Sequence, residues 1–271
     1  MRVKRLFSDA SVVDAYLAVY SEMLASRERR RASTCAMARI CLISPGHLST
    51  NPRLVKEADA LAGEGHEVAL ITGDYSLWAR DADKTIISQW RVVRRLRFGP
   101  LAALPTRVFQ FLRVRVARIL LAAGVRNPAV LRAAWHPIAP DLVAAAKRVK
   151  ADLYVAHYPT ALPAAAIAGR VHGALYAFDA EDFHLGDLPD GNAYASERRM
   201  VRAIEERYLP GCSYVTAASP GIADAYVSSY RIERPTVVLN VFPRARVPTS
   251  PSPEGVAEFS PSVYWLSLIH I

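Results

Sequence analysis

The sequence predicts an α/β domain built on a doubly wound parallel sheet, in which helices cover both faces. Two observations predict this fold class. Short apolar strand candidates alternate with helical stretches over most of the chain, and these strands are apolar on both sides, as strands buried under two layers of helices are. Hydrophobic residues make up 52% of the 271 residues, which is enough to bury the core of such a sheet.

The alternation begins with a strand at 39–44 and a helix at 51–67. Pro52 falls in the first turn of this helix, and Gly63 and Gly65 lie near its end, where these residue types are favoured. The other predicted elements of the first half are strands at 67–72 and 90–98, followed by helices at 101–123 and 128–149.

The second half of the chain continues the same alternation. In a parallel sheet all strands end at one edge, and ligands bind beyond that edge. The residues directly after each strand are therefore the candidate site. The predicted strands lie at 151–157, 174–180, 212–219 and 235–240, and the predicted helices lie at 160–172, 193–209 and 220–230.

Glycine, serine, asparagine, histidine and acidic residues lie directly after the predicted strands. Gly46, in the turn after the first strand, would let a backbone approach a ligand, because a side chain would obstruct it. The same glycine could also serve the turn alone. The turn lacks both the G-x-G-x-x-G pattern of a dinucleotide site and the G-K-[ST] pattern of a P-loop. A nicotinamide oxidoreductase and a P-loop nucleotidase are therefore disfavoured.

Composition divides the chain into three parts. Residues 1–37 form an N-terminal appendage that contains a run of arginines, and residues 38–243 carry the α/β pattern. Residues 244–271 contain a Pro/Ser-rich linker and an apolar segment that would begin a second domain. One α/β domain with flanking segments is the predicted organisation.

The cysteines and the hydropathy favour a cytoplasmic protein. Cys35, Cys41 and Cys212 are odd in number and have no metal-ligand spacing, which argues against a disulfide framework and a zinc site. No segment reaches the apolar length of about 20 residues that a membrane span needs, and the N-terminus has no apolar core typical of a signal peptide.

A basic helix is the clearest feature of the charge distribution. The formal net charge is +9 and the isoelectric point is near 9.7, which indicates a polyanionic partner. Two interpretations stay open: the helix rests on an anionic membrane surface, or its apolar stripe packs in the core. Nucleic acid is disfavoured because aromatic residues do not alternate with the arginines. The stripe comprises Val108, Phe111, Leu112, Val116, Ile119 and Leu120, and the arginines are Arg107, Arg113, Arg115 and Arg118.

Several ordered segments resemble one enzyme family. The opening "ICLISPGHLSTNPRLVKEADALAGEGHEVALIT" is followed by "ADLYVAHYPTALPAAAIAG", then "ALYAFDAEDF", then "VTAASPGIADAY" and "TVVLNVFP". This series resembles the family 4 glycosyltransferases of the GT-B fold, whose N-terminal domain is Rossmann-like. The resemblance covers about residues 38–243.

The resemblance implies transfer of a sugar, with retention, from a nucleotide-diphosphate sugar to a glycan or lipid-linked acceptor, without a metal or cofactor. His157 would orient groups beside the reacting centre, and Gly46 would let the first loop approach the donor. Two positions depart from the family pattern: Glu181 replaces the usual histidine, and "NVFP" replaces N-G-[VI]-D after Asn240. The remaining implied binding residues are Asp179 and Glu181 on the acceptor side, and Ser219 and Asn240 at the interdomain cleft.

The acidic cluster after the strand at 174–180 has three interpretations. Its carboxylates could bind a hard cation, bond acceptor hydroxyls, or form a solvated loop. No calcium-loop pattern is present, so no metal is predicted. His157 could likewise be a structural histidine. The cluster consists of Asp179, Glu181, Asp182, His184 and Asp187.

A GT-B enzyme needs a second α/β domain to neutralise the departing diphosphate. The expectation is therefore an incomplete glycosyltransferase of the hexosyltransferase type, inactive alone, which works in the cytoplasm or peripherally at the inner face of the membrane. Two other functions stay open. One is a non-catalytic binding or assembly module at a membrane, and the other is a different nucleotide-dependent enzyme such as an epimerase or reductase.

Overall fold

A computed structural model describes residues 18, 37–86, 90–188 and 192–240. Its sheet contains seven strands, all parallel, and the two-sided α/β architecture confirms the predicted fold class. The strands are β1 (Arg39–Ile43), β2 (Glu67–Asp74), β3 (Arg91–Arg97), β4 (Leu153–His157), β5 (Leu175–Ala180), β6 (Val215–Ala217) and β7 (Thr236–Val237). Their order across the sheet is β3-β2-β1-β4-β5-β6-β7.

Helices connect the strands at most of the predicted positions. They are α1 (Pro52–Gly63), α2 (Leu77–Asp83), α3 (Leu104–Ala122), α4 (Pro128–Trp135), α5 (Ala139–Ala146), α6 (Leu162–His172), α7 (His184–Asp187), α8 (Ala195–Tyr208) and α9 (Pro220–Ser229). Short 3-10 turns occupy Gly99–Leu101, Asn192–Tyr194 and Leu209–Gly211.

The prediction of one helix at 128–149 is wrong, because the chain breaks between α4 and α5. His136 is extended, with φ −147° and ψ 138°, and it precedes Pro137. A proline disfavours helical geometry in the residue before it, so α4 ends at Trp135. The short helix α2 is a further element that the sequence does not predict.

Alternate residues of the strands face two separate hydrophobic clusters. Ile40 and Leu42 of β1 join one cluster with Val155 of β4, and α1 covers it. Cys41 and Ile43 of β1 join the other cluster, which α5 and α6 cover. Both faces of the sheet are therefore buried, which is the reason its strands are apolar on both sides.

Helix α3 packs on the domain with the side opposite to its apolar stripe. Its buried residues are Gln110 and Ala117. All six residues of the predicted stripe are exposed, from 38% for Leu120 to 68% for Ile119. The interpretation that places this stripe in the core is therefore wrong for the described residues. No helix within those residues combines the length and apolar character needed to cross a bilayer.

Parts of the predicted domain organisation lie outside the described residues. Residues 244–271 are entirely outside them, and of the appendage only residues 18 and 37 are described. The boundaries of the α/β domain at 38 and 243 therefore stay predictions.

Candidate active site

The candidate site lies where the strand order changes direction. The chain runs outward from β1 to β3 on one side and from β4 to β7 on the other, and ligands of such sheets bind at this switch point. Gly46 follows β1 and His157 ends β4, on the two sides of the switch. His157 is in register with Asp179 of β5, and Asp179 with Thr216 of β6. The structure thus places the predicted residues along one edge.

His157 lies fully buried among three carboxylates. Its Nε2 is 2.8 Å from Oε2 of Glu57, and its Nδ1 is 2.8 Å from Oε1 of Glu181 and 3.5 Å from Oδ2 of Asp179. Burial alone would lower the pKa of His157, but the charge of Glu57 and the hydrogen bond to Glu181 outweigh it and raise the pKa to about 10. His157 is therefore protonated on both ring nitrogens at neutral pH.

Asp179 is bound through both oxygens to Arg53 of α1. Nε and Nη2 of Arg53 donate to Oδ2 and Oδ1 at 2.6 and 2.7 Å, and the Thr216 hydroxyl also donates to Oδ1. Arg53 donates further to the carbonyl of Val238. Burial would raise the pKa of Asp179, but the charge of Arg53 holds that pKa below its usual value. The carboxylate has no exposed surface, so in this conformation it joins α1 to the sheet.

Glu181 is the member of this network that reaches the surface. Its Oε1 accepts a hydrogen bond from Nδ2 of Asn51 at 2.6 Å and contacts Nδ1 of His157 at 2.8 Å. The side chain of Glu181 is 12% exposed, whereas those of His157 and Glu57 are at 0% and 1%. The Tyr158 hydroxyl lies close by, since the charge of Glu181, after burial, raises the pKa of that tyrosine. A ligand could therefore reach Glu181 without displacing the network.

Tyr158 directly follows His157 in an uncommon backbone conformation. Its φ is 69°, a left-handed value that few residues other than glycine adopt. Its ring centroid lies 5.4 Å from that of His184. Such a conformation costs on the order of 1–3 kcal/mol and concentrates at functional sites. A tyrosine gives no sequence signal for a left-handed turn, so this feature is visible only in the structure.

The loop after β1 is fixed by His47, which is fully buried. Nε2 of His47 accepts hydrogen bonds from the backbone N–H groups of Tyr75 and Ser76 at 3.0 and 3.1 Å. Its proton must therefore be on Nδ1, which donates to Oδ2 of Asp83 at 3.1 Å. Asp83 also accepts from the backbone of Ser49 at 2.8 Å. These contacts hold the loop against both ends of α2.

Gly46 lies in that loop, and packing does not require its glycine. A Cβ there would be 3.4 Å from Oγ1 of Thr50 and 3.6 Å from Oγ of Ser44, which are ordinary contacts. At Gly73, by contrast, a Cβ would be 1.8 Å from the carbonyl oxygen of Pro45. Close packing therefore explains the glycine of β2, whereas the predicted ligand approach at Gly46 stays a prediction.

Ser219 and Asn240 lie farther along the same edge. Oγ of Ser219 accepts a hydrogen bond from the backbone N–H of Ile222 at 3.2 Å and caps the N-terminus of α9. Asn240 is exposed, and Nζ of Lys56 in α1 donates to its Oδ1 at 3.0 Å. The predicted contact of both residues with an interdomain cleft stays a prediction.

The predicted acidic cluster divides into two parts. Asp179 and Glu181 join the His157 network. His184 instead pairs with Asp187, with Nδ1 3.6 Å from Oδ2. Asp182 is half-buried, and its pKa is raised first by burial and then by the charge of Asp187.

One group in the described part of the chain has ligand atoms close enough for a metal. Glu57, His157 and Asp179 each offer an atom within 4.8 Å of the others. Arg53 already bonds both oxygens of Asp179. These residues therefore do not fit a metal ion, because Arg53 already supplies the positive charge.

Comparison with known proteins identifies the family. A family model described as a glycosyl transferase 4-like domain matches residues 50–241. The chain belongs to this family. Among solved structures, a glycosyltransferase from Rickettsia africae ESF-5 is similar at 13% sequence identity and a TM-score of 0.39, over 76% of this chain and 43% of that chain. The chain thus spans less than half of that solved chain, and no curated protein matches it.

In this glycosyl transferase 4-like domain, the partners of the strand-end residues lie far from them in the sequence. Arg53 and Asn51 lie 126 and 130 positions from Asp179 and Glu181. A signal was present within α1, where Arg53 and Glu57 are four residues apart and so share one helix face. Two charged residues on the face of a helix that also packs on a sheet indicate a buried polar network.

Proposed function

We propose that this chain is the N-terminal, acceptor-side domain of a retaining glycosyltransferase of the GT-B type. The reaction transfers a hexosyl group from a nucleotide-diphosphate sugar to a glycan or lipid-linked acceptor in polysaccharide synthesis. Membership in the glycosyl transferase 4-like family supports glycosyl transfer in general. The donor, the acceptor and the stereochemistry are the finer parts of the proposal.

One observation carries the proposal: Glu181 is the partly exposed end of a buried charged network at the switch point of the sheet. In the proposed role, Glu181 accepts a hydrogen bond from an acceptor hydroxyl and directs its oxygen toward the anomeric carbon. Asn51 and His157 hold the carboxylate at 2.6 and 2.8 Å. A carboxylate fixed in this way loses little entropy when it binds its substrate.

His157 acts through Glu181 and is a positioning residue in this proposal. Its ring has no exposed surface and is held between Glu57 and Glu181. Its positive charge keeps three carboxylates together in a small volume, which like charges would otherwise oppose. The predicted effect of His157→Ala, a depressed rate of transfer, would follow from a displaced Glu181.

The donor contacts belong, in this proposal, to a second α/β domain that faces the same edge. The oxygen of the acceptor hydroxyl bonds to the anomeric carbon while the bond from that carbon to the diphosphate breaks, and the nucleotide diphosphate leaves with the proton of the hydroxyl. Positive groups on the second domain would stabilise the departing diphosphate. The proposal therefore includes weak or absent transfer by the 271-residue chain alone. Gly46 would give the first loop room to approach the donor, and Ser219 and Asn240 would line the cleft.

The proposed site of action is the cytoplasmic face of a membrane with anionic lipids. The net charge of +9 supports an anionic partner. Nucleotide sugars are soluble substrates, whereas a lipid-linked acceptor is presented at the bilayer surface.

The test is sugar transfer by the complete gene product that contains this chain, assayed with UDP- and GDP-sugars. Glu181→Gln keeps the shape of the side chain and removes its charge. Because a hydrogen bond to a charged group is worth about 1.5–3 kcal/mol, kcat/KM should fall about 10- to 100-fold. The matched control is Asp187→Asn, which removes an exposed charge from the same loop region and should retain wild-type transfer.

Two results would contradict the proposal. Equal transfer by wild type and Glu181→Gln would remove the role of this carboxylate. Failure of the folded complete gene product to release nucleotide diphosphate from any donor would remove glycosyl transfer itself.

A further inference from the structure

The outer face of α3 is an unusual apolar surface. Gln110 on the inner side donates to the carbonyl of Arg97 and to Asp141, and Arg113 pairs with Asp141 at 2.7 Å. The helix therefore packs on the domain through these polar contacts and through Ala117, which joins an apolar cluster with Ala134 and Met200. Its large apolar side chains point away from the domain and are exposed: Leu104, Val108, Phe109, Phe111, Leu112, Val116, Ile119 and Leu120.

These side chains form one continuous surface. Leu104, Val108, Leu112 and Val116 follow each other at intervals of four residues, which places them in one row along the helix. Leu104 and Ile119 are 62% and 68% exposed. Contiguous apolar patches of this kind on a folded domain mark interaction surfaces.

Arginines border the apolar row, and α3 contains no acidic residue. Arg107 and Arg115 are exposed and lie in the adjacent row of the helix, whereas Arg118 donates to the carbonyl of Ala134 and pairs with Glu197. The guanidinium of Arg115 lies 5.6 Å from the ring of Phe111. A helix with an apolar face and an arginine border fits the interface of an anionic bilayer, where the apolar side chains enter the acyl region and the arginines meet phosphates.

A basic groove continues the same surface. It has a volume of about 890 Å³, and Thr106 and Phe109 of α3 form part of its wall. Arg94 and Arg97 of β3 and Arg148 after α5 also line it, while Asp74 and Asp141 are its acidic residues. Phe109 belongs to both the groove and the apolar face. Arginines that can bind phosphate therefore lie next to apolar side chains that can contact acyl chains.

We propose that the outer face of α3 and this groove together dock the domain on a bilayer that contains anionic lipid. The charges favour lipid over other occupants of the apolar face. A second copy of the chain carries the same net charge of +9, and residues 1–36 contain seven Lys and Arg against four Asp and Glu. Both would bring like charge to the arginine border, whereas anionic headgroups complement it.

The docking surface begins at the same edge of the sheet as the candidate active site. Helix α3 begins shortly after β3 ends, at the edge of the sheet that carries Glu181. Docking through α3 would therefore involve that same edge of the domain. The further conclusion that the acceptor is lipid-linked rests on the proposed function, but docking itself does not require sugar transfer.

The experiment measures flotation of the 271-residue chain with vesicles of phosphatidylcholine containing about one third phosphatidylglycerol. Wild type should bind these vesicles, bind phosphatidylcholine alone weakly, and dissociate as salt rises. The triple variant L112S/V116S/I119S should lose affinity about tenfold or more. The groove variant R94Q/R148Q should also lose about tenfold.

Matched controls change the same residue types elsewhere on the surface. Val171→Ser removes an apolar side chain that is 52% exposed on α6, and R170Q/R231Q removes two exposed arginines. Both should bind as wild type does. Circular dichroism should show that all variants fold, because every substituted side chain is exposed.

Three results would overturn the proposal. The first is equal binding of the triple variant and wild type to anionic vesicles. The second is equal loss of affinity in the groove variant and the arginine control, which would indicate net charge without a specific surface. The third is a dimer in sedimentation velocity that the triple variant dissociates, combined with vesicle binding that it leaves unchanged. Because Glu181→Gln should bind vesicles normally, failure of the proposed function is distinguishable from failure of docking.

Discussion

The His157 network and the outer face of α3 depart from the usual distribution of residues in opposite ways. Arg53, Glu57, His157 and Asp179 are charged and between 0% and 2% exposed, whereas the apolar stripe of α3 is 38% exposed or more. Charged groups are mostly exposed in folded proteins and large apolar groups mostly buried.

The buried charges and the exposed apolar side chains are compensated differently. The buried charges pair with one another inside the domain. The apolar face of α3 has no covering element within the described residues, so its compensation must come from outside this part of the chain. The proposed reaction site therefore lies at the buried charges, and the proposed membrane interface lies at the exposed apolar surface.

The largest expected effect comes from breaking the buried network. Arg53→Met leaves the charge of Asp179 buried without its partner, which should lower the free energy of unfolding by about 3–5 kcal/mol. Urea denaturation measures the change. Arg39→Met is the matched control, because the Arg39–Asp152 pair is partly exposed, at 41% and 33%, and is therefore screened by solvent. Similar losses in both variants would show that burial does not distinguish the two ion pairs.

Truncation of an apolar side chain should lower the stability of the domain much more in the core than on the outer face of α3. Leu142 of α5 is fully buried and Ile119 of α3 is 68% exposed. Leu142→Ala should cost about 2–5 kcal/mol of stability, and Ile119→Ala should change it by less than about 0.5 kcal/mol. Thermal and urea unfolding measure both. A large loss of stability in Ile119→Ala would mean that another part of the chain covers α3. The outer face of α3 would then not be an exposed surface.

The pH dependence of stability should report the protonation of His157. Its pKa is raised in the folded state to about 10 from an ordinary value of 6.5, so the folded state binds more protons than the unfolded state between these values. Stability from His157 should therefore be complete below pH 6.5 and decline as the pH rises toward 10, by at most about 1.4 kcal/mol per pH unit.

The matched measurement compares wild type with His157→Gln by urea denaturation from pH 6 to 9. The gap in stability between them should be widest at the acid end and narrow as pH rises. A constant gap would indicate that folding leaves the pKa of His157 unchanged, which would contradict a protonated His157 in the folded state at neutral pH.

The fold could be predicted because its signals are local. Apolar strands, prolines at helix starts and polar residues after strands all lie within short windows of sequence, and they located β1, β4 and β5 together with α1 and α6. The interruption at His136 and Pro137 was present in the sequence as a proline signal. The short helix α2 lacks enough turns to show a period.

The site could be predicted only in part, because its geometry depends on distant residues. The strand-end rule indicated His157, Asp179 and Glu181, but the roles of Arg53 and Glu57 depend on how α1 packs across the sheet. The spacing of the α3 stripe was likewise visible. The direction in which this stripe faces could not be predicted, because a helix with one apolar side gives the same pattern whether that side faces a core or a membrane.

We propose that the buried His157 network acts in sugar transfer and that the outer face of α3 binds the membrane. The direct measurement is sugar transfer by the complete gene product to one acceptor presented in two forms, soluble and embedded in anionic vesicles. We expect Glu181→Gln to slow transfer to both forms, whereas L112S/V116S/I119S should slow transfer only to the embedded form. Equal slowing of both forms by the α3 variant, or an effect of Glu181→Gln on only one form, would contradict it.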